Sequence, residues 1–165
     1  MTTGRLSTMR DCRSYVRSLR LDPYSSAHEL CDQISTARGR PIRVIEARLP
    51  VPGPMGVWVC RTDDDVVIVQ DLAVGAHRDH IVLHELAHIL CEREGERYRH
   101  DEPALSALEG ILPEGGGAVV RFRSVHDSAA EREAELLAAA FAEFAVDDRA
   151  EAKVSRDVQR YFGGA

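Results

Sequence analysis

No stretch of this 165-residue chain is an apolar run long enough to cross a bilayer, which excludes a membrane-spanning helix. The first ten residues, Met1 to Arg10, lack the apolar core of a secretory leader, so a cytoplasmic protein is expected. Cysteine is sparse. Cys12, Cys31, Cys60 and Cys91 fall one per segment with no CxxC pair, a pattern of reduced thiols rather than of a disulfide framework. Basic charge is in deficit, 21 Lys and Arg against 27 Asp and Glu for a net charge of −6. Phosphate binding is driven by clustered cations, so direct contact with nucleic acid or an anionic membrane surface is not expected. Internal repeats and low-complexity tracts are also missing. A chain of this length supports one core, so residues 1–165 are expected to form a single domain and a multidomain enzyme is excluded.

What is present reads as alternating short elements. Apolar residues from Met9 to Leu21 recur at helical steps until Asp22-Pro23, and a second helix starts at Ser25-Ser26 and stops at Gly39, before Pro41. Ile42 to Ala47 is a strand. Leu49-Pro50-Val51-Pro52-Gly53-Pro54 is a stiff connection, because three prolines remove backbone donors. Val57 to Cys60 and Val66 to Gln70 form an antiparallel pair around a polar turn, with the second strand offering an exposed edge. His77 to Glu92 is helical. Asp101 to Leu112 is a helix with Pro103 in its first turn, and Gly115-Gly116-Gly117 is a loop tip. Val119 to Val125 alternates like a strand, with a helical reading left open. Ala129 to Val146 is an Ala- and Glu-rich helix, and residues 148–165 form a more polar helical extension.

The chemistry lies in His84-Glu85-Leu86-Ala87-His88, an HExxH motif on a helix. Residues four apart project from one helical face about 6 Å from each other, so two imidazoles can meet one tetrahedral ion. Glu85 sits beside that face, placed to take a proton from water on the ion. The bland alternative is a half-buried helix with two hydrogen-bonded histidines and a solvated glutamate. A third ligand is needed, and Glu131 is the best candidate. In Glu131-Arg132-Glu133-Ala134-Glu135, Glu131 and Glu135 share a helical face while Glu133 is turned about 200° away. Glu135 would then accept the second N–H of a ligand imidazole, that of His84. Among the rivals, Cys91 follows His88 by three residues but would have to fold back over the turn. His80 extends the stripe one turn earlier and is read as making a polar contact in the helix N-terminal region or as facing solvent. His126 precedes the glutamate helix and is a candidate for stabilising an oxyanion, against the ordinary role of a loop histidine as polar surface.

HExxH at 84 to 88 followed by Glu-Arg-Glu-Ala-Glu at 131 to 135 resembles the ImmA/IrrE family of zinc metallopeptidase-like proteins, within the gluzincins. The short actinobacterial members are the most similar in order, sharing Arg-Gly-Arg-Pro-Ile at 38 to 42, Leu-Pro-Val-Pro-Gly-Pro at 49 to 54, the strand pair and both motifs. The resemblance implies an α+β fold, a minimal zincin-like metallopeptidase with helices packed on a small, mainly antiparallel sheet. It implies Zn2+ as cofactor, His84, His88 and Glu131 as ligands, and Glu85 as general base. It further implies a protein or peptide substrate, such as a helix-turn-helix transcription regulator. The alternative is a non-catalytic regulatory or toxin-antitoxin component that binds such a regulator through a metal-stabilised fold. Two departures stand out. Glu135 is longer than the Asp or Asn that relatives often carry one turn after the ligand, and the stretch between His88 and Glu131 is either a lid or an insertion.

Overall fold

The computed structural model describes residues 5–92, 108, 110–122 and 128–145. Thr8 opens α1 (Met9–Ser18) with a capping box: its hydroxyl accepts from the Asp11 N–H, and the Asp11 carboxylate accepts from the Thr8 N–H. Arg20 turns left-handed at φ 52°, so this helix ends short of the Leu21 that the periodicity predicts. Ser26 caps α2 (Ala27–Arg38), and Gly39 closes it at φ 62°, the left-handed turn that glycine makes without strain.

Four strands follow the order β1-β3-β2-β4, with β1 (Ile42–Ala47), β2 (Gly56–Arg61), β3 (Asp65–Gln70) and β4 (Val119–Phe122). β3 runs parallel to β1 and antiparallel to β2, and β4 lies antiparallel to β2. With α3 (Gly75–Cys91) and α4 (Ser128–Phe144), the molecule is α+β, with a mainly antiparallel sheet.

The exposed edge expected at Val66 to Gln70 does not exist. Every residue of β3 is buried, and the strand sits in the middle of the sheet. The reason is legible in Val66-Val67-Ile68-Val69, a continuous apolar run that needs cover on both faces. Val67 and Val69 join Trp58 and Cys60 in the main core beneath the helices, while Val66 and Ile68 pack with Leu49, Val57, Val59 and Leu108 on the other face.

The triple glycine is not a free tip either. Gly115, Gly116 and Gly117 all take positive φ, and this backbone is seated on the β2–β3 hairpin. Asp63 N–H donates to the Gly116 carbonyl at 3.0 Å, and the Arg61 guanidinium donates to the carbonyls of Pro113 and Gly115. A Cβ at Gly116 would collide with Arg61 and Asp64. This part of the stretch between the two motifs is therefore anchored, not a lid. The helix expected from Asp101 to Leu112 and the extension at 148–165 fall largely or wholly outside the described residues, and the strand expected to reach Val125 is described as far as Phe122.

α3 packs on α4 and on the sheet, α1 on α4, and α2 on β1. None of the four cysteines is in a disulfide; Cys12, Cys31 and Cys60 are buried and Cys91 half-buried. Among the described residues no helix is long and apolar enough to cross a membrane.

Tyr24 donates its hydroxyl to the Phe141 carbonyl at 2.6 Å, tying the start of α2 to the end of α4. Burial pushes Tyr24 up from 10.0 to about 12 and Cys31 up from 9.0 to about 12. Both raised values mean that the unfolded chain ionises first. The stability these neutral groups contribute is complete below pH 9 and drains away as the pH rises towards 12. The urea midpoint is expected to be flat to about pH 9 and then to fall. Tyr24→Phe should lower stability by about 1 kcal/mol at pH 7 and make the fall above pH 10 shallower. An unchanged alkaline profile in that variant would remove Tyr24 from the account.

Candidate metal centre

α3 is pinned by Val82, Leu86, Ala87 and Ile89, all buried, so its histidine stripe has a fixed direction. α4 buries Ala130, Ala134 and Ala138, whose small side chains let the two helices approach closely. Glu131 and Glu135 flank that alanine row and reach across to α3. His88 faces Glu131 while His80 faces Glu135, so the helices run antiparallel.

His84 Nε2 lies 3.0 Å from His88 Nε2 and 3.2 Å from Glu131 Oε2, and His88 Nε2 lies 3.4 Å from Glu131 Oε1. These are the spacings of a tetrahedral edge, since ligand bonds of about 2.0–2.1 Å set neighbouring donors about 3.3 Å apart. Among the described residues, this is the group of three side chains able to hold a metal ion. His84 Nδ1 lies 3.2 Å from Glu135 Oε2, the contact expected of a second carboxylate despite the length of its side chain. With its Nδ1–H given to Glu135, a neutral His84 presents the Nε2 lone pair to the Glu131 carboxylate. Two acceptors then face each other, an arrangement that a cation between them relieves. The donor set of two imidazoles and one carboxylate suits zinc chemically. His88 is buried, while His84 and Glu131 keep 21% and 26% of their side-chain surface exposed, leaving an approach from one side.

Glu85, the residue after His84, is buried against the start of β2. The missing side chain of Gly56 provides its space: a Cβ there would stand 2.5 Å from Ile81 Cγ2 and 2.8 Å from Glu85 Oε1. Sequence reasoning missed Gly56, because a glycine that follows a proline-rich loop reads as a turn residue rather than as a site for close approach. It also missed Glu133, which is buried and accepts from the Leu6 N–H at 2.6 Å on the far side of α4.

Of the other candidates, Cys91 is not brought into the three-ligand group and packs, half-buried, against the main core. His80 is not merely solvent-facing, since its Nε2 lies 3.3 Å from Glu135 Oε1. His126 lies outside the described residues. Comparisons of the chain with protein-family models, with curated proteins and with solved structures find no match.

Proposed function

We propose that this protein is a zinc-dependent endopeptidase with a minimal zincin-like fold of the ImmA/IrrE type. In this reading it acts in the cytoplasm on a protein such as a helix-turn-helix transcription regulator. The observation that carries the reading is the convergence of His84, His88 and Glu131 at tetrahedral spacing, with Glu85 next to His84 in the chain. His84, His88 and Glu131 would hold the ion, with Glu135 orienting the His84 ring through Nδ1–H. When bound, the ion would supply Lewis acidity and lower the pKa of water at the site. Glu85 would act as the general base and then carry the proton to the leaving amine. The sequence argument alone assigns His126 to the oxyanion.

Elemental analysis of the dialysed protein after exposure to zinc is expected to give one zinc per chain. In Glu131→Ala the metal should be largely lost while the circular dichroism spectrum is kept. A wild-type protein that folds and retains no zinc overturns the reading. Zinc retention without cleavage of a peptide library, read by mass spectrometry, would favour the non-catalytic regulatory module instead.

The Gly56 contact gives an independent check. Gly56→Ala is expected to fold and to keep its zinc while losing about a hundredfold in hydrolysis, because a displacement of Glu85 by an ångström spoils the attack geometry. Unchanged hydrolysis in a folded variant would mean that the position of Glu85 against β2 does not matter.

A further inference from the structure

Three histidines, not two, stand at four-residue steps along α3, and α4 answers them with two glutamates. The contacts alternate across the helix pair. Glu131 stands between His88 and His84, at 3.4 and 3.2 Å. One turn further on, Glu135 stands between His84 Nδ1 at 3.2 Å and His80 Nε2 at 3.3 Å, using a different oxygen for each. Only the first of these rungs belongs to the group of three donor atoms lying within 4.8 Å of one another, so His80 stands outside the ligand set.

Glu135 has 57% of its side-chain surface exposed. A glutamate in water on a single contact is free to sample other rotamers, and holding it still has an entropic cost. A second anchor on its other oxygen removes that freedom, and His80, fixed to the same helix as His84, supplies one at the right separation. We propose that His80 is a positioning residue of the metal centre. By donating Nε2–H to Glu135 Oε1, it keeps Oε2 on the Nδ1–H of His84, which holds the His84 ring in the tautomer and orientation that present Nε2 to the ion. This rests on the metal reading above and deepens it, adding a residue that acts through two others.

The test measures zinc affinity by chelator competition, together with the visible absorption of the Co2+-substituted protein. It compares the full chain with His80→Ala, His80→Gln, Glu135→Ala and the double variant His80→Ala/Glu135→Ala. Glu135→Ala is expected to weaken zinc binding about 10- to 100-fold. His80→Ala should weaken it about three- to fivefold, the upper part of the range for an exposed charged contact, and should shift the Co2+ spectrum. His80→Gln, whose amide N–H reaches the same oxygen, should restore both. The double variant should bind no more weakly than Glu135→Ala, because His80 has nothing left to act through. If His80→Ala keeps wild-type affinity and spectrum, or if its effect persists undiminished without Glu135, the positioning role is overturned while the metal reading stands. Failure of the wild-type protein to bind zinc overturns both.

Discussion

Replacing Glu85 by glutamine is expected to lower peptide hydrolysis about a hundredfold to ten-thousandfold, the range over which a positioned acid–base group contributes, with zinc content and fold unchanged. The substitution keeps the shape of the side chain. Glu85 is buried against Gly56, with its Cγ and Oε1 close to where a Cβ would stand, so an isosteric amide fits the same space. It cannot accept a proton at working pH. The three side chains that would hold the metal are other residues, so zinc analysis of Glu85→Gln should match wild type. Undiminished cleavage would remove Glu85 from the chemistry. Loss of metal would give it a structural role in the centre instead.

A second large effect is expected far from the metal. Asp64 is buried and accepts two bonds from the buried Arg61, at 2.7 and 2.6 Å, and a further ion pair from Arg43 at 2.8 Å. Asp64→Ala should destabilise the fold by about 3–5 kcal/mol, because it strands the Arg61 guanidinium in the interior. For a chain of this size that corresponds to a fall in Tm of roughly 6–20 °C. Arg43 is 42% exposed and can return to water, so the loss falls on Arg61. The double variant Arg61→Met/Asp64→Leu should recover part of the stability, since no unpaired charge is left in the interior, while the Pro113 and Gly115 carbonyls lose their Arg61 donor. A Tm for Asp64→Ala within 2 °C of wild type would mean that the Arg61–Asp64 pair does not hold this end of the sheet, and a double variant worse than the single would place the stability in the bonds from Arg61 to the Pro113 and Gly115 carbonyls instead.

Local signals in the sequence are the ones the structure follows most closely. Ser26 and Gly39 bound α2, the prolines of 50 to 54 separate β1 from β2, and the two β-rich runs around residues 62–64 form a hairpin. The helical period alone separates Glu131 and Glu135 from Glu133, and the structure has the first two facing α3 and the third buried on the opposite side. The sequence is mute where the partner is remote. A hairpin states that β2 lies beside β3 but not that β1 covers the other edge, so the apolar run of β3 was the only hint of its central place. Arg61 and Asp64 read as a polar turn until the backbone of residues 113–117 arrives to bury them. The helical period sets Glu133 apart but not its partner, because the N–H that it accepts from is 127 residues away.

That last contact bears on the order of events during synthesis. Leu6, Arg13 and Tyr24, near the beginning of the described chain, are tied to Glu133, Glu143 and Phe141, near its end. Contacts of such long sequence separation form late, because the loop between them must close first. A growing chain therefore carries His84 and His88 well before the helix that supplies Glu131, and it cannot seat that helix until most of its length has been made. Any ion that depends on all three side chains can be held only after that helix has reached α3, so its residence reports that α3 and α4 have met.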